Sequence, residues 1–339
     1  MEPIPALRVL PDDPRYRRQA EAEAEFWRKQ HPWGLEAVER RHEQGPVDRY
    51  QNERFSGDPG VPWYETIARR GSFRRAAVLG TSSLVLESRI LEQNPALHVT
   101  FFDISEGALE RRRELLGTRF PGRVVTRVAD LNFLELPAGA YDVIASSSTI
   151  HHVTNLEYLA AQVNRALADG GYFFLEDYVG EPRFQFAPEK KRVYQQIVNR
   201  DQARRGVPMT GLIWLDTSDL SPFCGIRSNE ILRVFAAHLD EVDVRRASAL
   251  VTPLLRSRLA EDLPDSPWIS DAWAARAPRW RRWKGYVAKQ LFGKLPSHQT
   301  LLPPDFLHEL FVVGDVLAEA EILEPGLAFA TYRKKGDHR

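Results

Sequence analysis

Residues 76–87 read AAVLGTSSLVLE: an apolar run, one glycine, a few hydroxyl side chains, then apolar residues at helical spacing. This is a buried strand turning sharply into a helix, the opening unit of a parallel α/β sheet. In nucleotide-binding proteins of that class the turn carries G-x-G-x-G or G-x-G-x-x-G, because glycines let the backbone approach a cofactor closely. Here Gly80 stands alone, followed by Thr81, Ser82, Ser83 and Leu84.

The same rhythm continues downstream. Apolar runs at RAAVLG (75–80), HVTFFDIS (98–105), VVTRVAD (124–130), YDVIASSS (141–148) and GYFFLEDYVG (171–180) alternate with helix-like segments at 83–95, 106–120 and 155–171. Short apolar strands separated by amphipathic helices predict a parallel sheet covered on both faces. The Gly170-Gly171 pair is expected to end the last of these helices. Farther on, 228–247 reads as helix then strand, 303–323 as a capped amphipathic helix, and GLAFATYRKK (326–335) as a closing strand.

Upstream, residues 15–44 are rich in Ala, Glu and Arg, with Phe26, Trp27 and Trp33, and read as two helices broken at Pro32 and Gly34. A Gly/Pro turn within 54–70 leads into a further helix near Pro62. Residues 1–70 are therefore expected to form a helical lid, and 71–339 a sheet domain with helical insertions near 183–225 and 250–305. The Trp- and Arg-rich stretch DSPWISDAWAARAPRWRRWKGY (265–286) fits core packing, a homodimer contact or stacking on a ligand.

Lys and Arg together number 46, as do Asp and Glu, so the formal charge is zero. Nothing in that balance favours nucleic acid or an anionic membrane as partner. The single cysteine, Cys224, excludes an intramolecular disulfide framework and a cysteine-cluster metal site. The N-terminal MEPIPALRVLPDDPRYRR lacks a basic segment followed by an apolar run, and no stretch approaches a membrane span. The expectation is a cytoplasmic protein acting on a small molecule.

In an open parallel sheet, ligands collect at the carboxyl ends of the strands. Asp103 ends the second strand about twenty residues past the first turn, where a carboxylate can accept from both ribose hydroxyls; capping the next helix falls at least as well to Ser105. Asp130 ends the third strand, where it can accept from an adenine amino group while Leu131 covers the ring. A solvated turn residue is the plainer reading of Asp130. His151 and His152 follow the fourth strand. Adjacent residues leaving a strand face opposite ways, so one imidazole is expected in the cleft, either as a general base or as a packed or capping side chain. No HxH, HxxxH or carboxylate cluster accompanies the pair, so no metal is expected.

Taken together, FFDISEGALERRR (101–113), VADLNFLELPAGAYDVIASSSTIHHV (128–153) and LADGGYFFLEDYVGE (167–181) resemble the class I S-adenosylmethionine-dependent methyltransferases, in particular a bacterial branch of small-molecule and glycan-associated enzymes. The resemblance implies an α/β fold: a Rossmann-like sheet with helices on both faces. It also implies S-adenosylmethionine as cofactor, S-adenosylhomocysteine as product, and methylation of an oxygen or nitrogen of a sugar-containing or other polar metabolite in a biosynthetic pathway. Carried onto this chain, it puts Gly80, Thr81 and Ser82 beside the methionine portion of the cofactor. Asp103 and Ile104 fall at the ribose, Asp130 and Leu131 at the adenine, and Ser146 at the same strand edge. His151, His152 and Asp177 are the catalytic candidates, with His151 or His152 near the transferring methyl and Asp177, Tyr178, Arg183 and Gln185 lining the acceptor side, while Trp63 and Tyr64 close over the cofactor.

Where such enzymes carry a second and third glycine, this chain has Ser82 and Leu84. That departure leaves open a methyltransferase-like protein that has lost or changed methylation, either a non-methylating biosynthetic enzyme or a binding subunit. An NAD-dependent oxidoreductase would use the same strand and acidic residue, but the glycine fingerprint it needs is missing.

Overall fold

Each apolar run read above becomes a strand. The structure, a computed structural model, describes residues 5–29, 46–81, 84–204, 212–214, 220–250, 253, 257–259 and 304–336. In chain order the elements are α1 (Pro14–Lys29), α2 (Pro46–Ser56), α3 (Glu65–Ala68), β1 (Arg75–Leu79), α4 (Leu84–Gln93), β2 (His98–Asp103), α5 (Glu106–Arg119), β3 (Val124–Val128), β4 (Tyr141–Ser147), α6 (Leu156–Ala166) and β5 (Leu167–Tyr178). They continue with α7 (Pro188–Arg204), β6 (Leu212–Trp214), α8 (Ile231–His238), β7 (Leu239–Ala247), β8 (Ser257–Leu259), α9 (Pro304–Glu319) and β9 (Leu327–Lys334).

The chain divides into two compact units, one made of 1–183, 220–247 and 327–339, the other of 184–219 and 248–326. The first holds a seven-stranded sheet in the order β3-β2-β1-β4-β5-β9-β7. β1 to β5 are parallel, and β9 runs antiparallel between β5 and β7. Alternate residues of the central strands serve opposite faces, as the two-residue period of a strand requires. Ala77, Leu79, Ile144, Phe173 and Leu175 pack with Leu156, Leu159 and Val163 of α6 and Ile231, Val234 and Phe235 of α8. Ala76, Val78, Val143, Tyr172 and Phe174 pack instead with Ile67, Leu86, Ile90, Leu109 and Leu116 of α3, α4 and α5. Two apolar layers thus cover the two faces of the sheet with helices, with its carboxyl edge left free for chemistry.

Three local readings differ from the structure. α6 ends at Ala166, four residues before Gly170, and the Gly170-Gly171 pair lies within β5. Gly170 has φ +76° there, beside the register shift between Tyr141 and Val143, so the glycines serve a strand irregularity and not a helix end. The helix near Pro62 is a single turn, and α2 at 46–56 went unread because its sequence, PVDRYQNERFS, shows little apolar periodicity. The second N-terminal helix, at 35–44, lies outside the described residues, as does 265–286.

The second unit contains α7, α9 and the two-stranded antiparallel sheet of β6 and β8. Tyr194 and Val198 of α7 and Leu310 and Phe311 of α9 are buried. Lys190 donates from Nζ to the Glu324 carbonyl at 2.7 Å and lies over the Phe186 ring.

Candidate active site

The carboxyl edge of the sheet opens on a cavity of about 650 Å3, its open mouth included. Ile104, Ala108, Leu131, Val153, Phe223 and Trp27 give it apolar walls, and Asp103, Asp130, Asn132, His152 and Glu23 supply polar groups.

The turn after β1 explains its one glycine. Gly80 has φ +82°, and a Cβ there would overlap the Thr149 side chain at the end of β4. Thr81 then donates its hydroxyl to Asp103 Oδ2 at 2.6 Å, joining the ends of β1 and β2. The Thr81 carbonyl accepts from Arg112, whose Nε also bonds Glu87 Oε2 at 2.9 Å. Arg112 and Glu87 are each 2% exposed, so a buried ion pair between α4 and α5 fixes the turn from below. Burial raises the Glu87 carboxyl while Arg112 pulls it back down. Ser82 lies outside the described residues, as does the side chain of Leu84.

Asp103 is half-buried in the cavity wall. Its carboxylate accepts from the Thr81 hydroxyl and from the Ser105 amide at 2.7 Å, and burial raises its pKa against those bonds. Capping α5 falls to Ser105, whose hydroxyl accepts from the Ala108 amide. Asp103 is thereby left free to face the cavity. At the end of β3, Asp130 accepts from the Tyr16 hydroxyl at 2.5 Å through Oδ2 and from the Asn132 amide at 2.9 Å through Oδ1. Burial, then the charge of Asp130, raises the Tyr16 phenol, which stays protonated as a donor. Asn132 holds the region together: its Nδ2 donates to Tyr16, and its Oδ1 accepts from the amides of Thr154 and Asn155.

Beyond β4 the chemistry changes. A 3-10 turn at Ile150–His152 brings the two imidazoles to 4.1 Å between ring centroids, so they do not diverge as strand residues would. His151 Nδ1 meets Asp177 Oδ1 at 2.5 Å, and His152 Nδ1 meets Glu23 Oε1 at 2.8 Å. Burial lowers His151, but the Asp177 carboxylate more than reverses this and raises it. For His152, burial and the neighbouring His151 prevail, and its pKa falls. Asp177 is 0% exposed and also accepts from the amides of Thr149, Ile150 and Tyr178. Beside it Glu176 accepts from Ser147 and Ser148, and burial pushes its carboxyl up to about 7.

The cavity therefore brings together Gly80, Thr81, Asp103, Ile104, Asp130, Leu131 and His152. His151 and Asp177 stand behind His152 and do not line it. Ser146 is turned inward, its hydroxyl donating to the Leu79 carbonyl. Tyr178 donates to the Glu181 carbonyl, and Arg183 donates to the carbonyls of Ser221, Pro222 and Cys224. Gln185 is exposed and belongs to the second unit. Trp63 and Tyr64 pack in the apolar layer, Trp63 against Phe329, and do not line the cavity.

Residues 78–173 match the family model of a methyltransferase domain. That segment runs from β1 into β5 of a Rossmann-like sheet, which has an N-terminal helix before it and helical additions in the C-terminal half. Over 133 residues the chain is 30% identical to a ubiquinone/menaquinone biosynthesis C-methyltransferase of Methylobacterium nodulans, covering 38% of this chain and 53% of that one. Over 94 residues it is 36% identical to a malonyl-acyl-carrier-protein O-methyltransferase of Geobacter sulfurreducens, covering 28% of this chain and 34% of that one. The chain thus spans about half and about a third of the length of these curated relatives. Among solved structures, a geranyl diphosphate C-methyltransferase from Streptomyces coelicolor A3(2) is 14% identical, with 96% of this chain and 100% of that chain covered and a TM-score of 0.46. Phosphoethanolamine N-methyltransferase 2 of Haemonchus contortus is also 14% identical, with 92% and 60% covered and a TM-score of 0.46.

Sequence reasoning missed the side chains that α1 brings to the cavity: Glu23 and Trp27 in its wall, and Tyr16 on Asp130. Glu23 accepts from Trp27 Nε1, Ser221 Oγ and the Phe223 amide at 2.6–2.9 Å. An acidic residue in an Ala/Glu-rich helix looks like a solvated face. The available signal was the Glu23/Trp27 spacing of four, which lets two side chains meet on a helix. No helix among the described residues is long and apolar enough to cross a membrane.

Proposed function

We propose that this cavity binds S-adenosylmethionine and that the protein transfers the methyl group to an oxygen or nitrogen of a small polar acceptor, a sugar-bearing metabolite included. The observation that carries the reading is the gathering of Gly80, Thr81, Asp103, Asp130 and Leu131 around one cavity, inside the segment that matches the methyltransferase model.

The residues present fit an adenosyl group. Gly80 leaves room at the turn where a side chain would not fit. A carboxylate offers about four lone-pair sites; Asp103 keeps acceptor capacity on the cavity side for the two ribose hydroxyls. Ile104, Ala108 and Leu131 make the flat apolar wall that a purine requires, with Asp130 at its rim to accept from an amino group. When bound, the cofactor supplies a sulfonium methyl, an electrophilic carbon open to in-line attack. The protein's own part is to align the acceptor and manage its proton. His152, oriented by Glu23 and holding its pKa low, presents a neutral imidazole to the cavity and takes the acceptor's proton. Two carboxylate-backed imidazoles suit an O–H or N–H acceptor, which must lose a proton. α1 excludes water through Tyr16 and Trp27.

Calorimetric titration of the full chain with S-adenosylmethionine and S-adenosylhomocysteine, with NAD as control, tests the reading. One-to-one binding of both sulfur compounds and none of NAD is expected. No binding of either, or binding of NAD alone, overturns it.

A further inference from the structure

The histidine pair has a third neighbour that its sequence gives no hint of. One ligating atom from each of His151, His152 and Cys224 lies within 4.8 Å of the other two. We propose that these three residues form a binding site for a thiophilic divalent cation of the zinc type, at the edge of the cavity.

Three features of the surroundings point to a metal and not to chance proximity. The first is the orientation of the rings. Each imidazole has Nδ1 engaged by a carboxylate, Asp177 for His151 and Glu23 for His152, and His151 is also hydrogen-bonded to the Cys224 side chain, a contact left to its Nε2. A carboxylate that fixes the tautomer and ring plane of a histidine is the usual outer support of a metal-ligating imidazole. The second is the ligand set. Two imidazoles and one thiolate make three protein donors, with the fourth tetrahedral position open, the pattern of a catalytic zinc centre. His152 lines the cavity, so that open position is accessible to an incoming ligand. The third is the anchoring of the cysteine. The loop 221–226 is held by Glu23, which accepts from Ser221 Oγ and the Phe223 amide, and by Arg183, which donates to three of its carbonyls. The Ile226 amide also donates to the His151 carbonyl at 3.1 Å. Glu23 thus orients one ligand and anchors the loop that carries another.

Size agrees. Bonds of about 2.0–2.3 Å in a tetrahedral site place neighbouring donors about 3.3–3.8 Å apart. The donor atoms all lie within 4.8 Å of one another, so the widest pair is about 1 Å from that spacing. Binding releases the thiol proton of Cys224 and the Nε2 proton of His151 to solvent, and a water or an acceptor takes the fourth position. An acceptor hydroxyl held there loses its proton more readily, so with the cation bound this takes the place of His152 as the base. That consequence rests on the proposed methyl transfer, whereas cation binding does not.

The test uses the full chain, stripped with a chelator and titrated with Zn2+ against a chromophoric competitor, then with Co2+ under near-ultraviolet absorption. One equivalent of Zn2+ and a thiolate-to-cobalt charge-transfer band are expected. Cys224→Ser should abolish the band and weaken Zn2+ binding by at least about tenfold, and Glu23→Gln should weaken it about 10–100-fold with the band retained. Far-ultraviolet circular dichroism checks that each variant is folded. Absence of saturable one-to-one binding, or a band and affinity unchanged in Cys224→Ser, overturns the site. Zinc binding without S-adenosylhomocysteine binding would keep the metal site and sink the methyl-transfer reading; the reverse result would sink the metal site and leave His152 as the base.

Discussion

Asp103 and Asp177 both end parallel strands of one sheet, and the cavity uses them in opposite ways. Asp177 is 0% exposed and spends its carboxylate on the protein itself: three backbone amides and the His151 ring. Asp103 is half-buried, is held by Thr81 and Ser105, and keeps part of its carboxylate on the cavity. Aspartate at a strand end is therefore not one signal. Where the turn after the neighbouring strand aims its amides at the carboxylate, they consume it and it becomes scaffold. Where a serine takes over the capping of the next helix, the aspartate is released for a ligand.

The sharpest way to break this contrast is Asp177→Ala. It strips acceptors from three buried amides and leaves His151 without its counter-charge, so stability should fall by about 3–5 kcal/mol. Urea unfolding measures this; a loss under about 1 kcal/mol would show that Asp177 is no scaffold. Asp103→Ala should do the reverse, leaving the urea midpoint close to wild type and weakening S-adenosylhomocysteine binding by about 2–4 kcal/mol, as loss of a charged hydrogen-bond partner does. Unchanged affinity in calorimetry would remove Asp103 from the proposed site.

Tyr16→Phe sharpens the comparison at Asp130, whose Oδ2 the phenol occupies. Stability should drop by about 1–2 kcal/mol from the lost charge-assisted bond, with ligand affinity held within about threefold because Oδ1 and the apolar wall remain. An affinity loss as large as that of Asp103→Ala would mean that Tyr16 itself holds the ligand. The smallest effect is expected at Glu157, which pairs with Arg227 at 2.7 Å and whose carboxyl that bond lowers to about 2. A folded pKa below the unfolded value gives stability that is present above about pH 4.3 and lost as pH falls toward about 2. With 27% of the side chain exposed, screening holds the contribution to about 1 kcal/mol. Urea midpoints of wild type and Glu157→Gln should differ at neutral pH and converge on acidification; a constant gap would assign the difference to something other than this charge.

The sheet is legible in the sequence, because buried parallel strands need unbroken apolar runs and their crossovers need amphipathic helices, and both patterns are local. The sequence also placed Gly80, Asp103, Asp130 and the histidines at strand ends, since strand and end are read together. What it could not determine was which strand-end groups face the cavity and what stands opposite them. Ser146 and Asp177 turn inward, and Trp63 and Tyr64 join an apolar layer, through contacts with residues far along the chain. Glu23 reaches His152 across 129 positions, Tyr16 reaches Asp130 across 114, and Cys224 comes beside His151 by a loop that Arg183 and Glu23 fasten. A carboxylate's chemistry depends on the donors within about 3 Å of it, and only tertiary structure decides which donors those are.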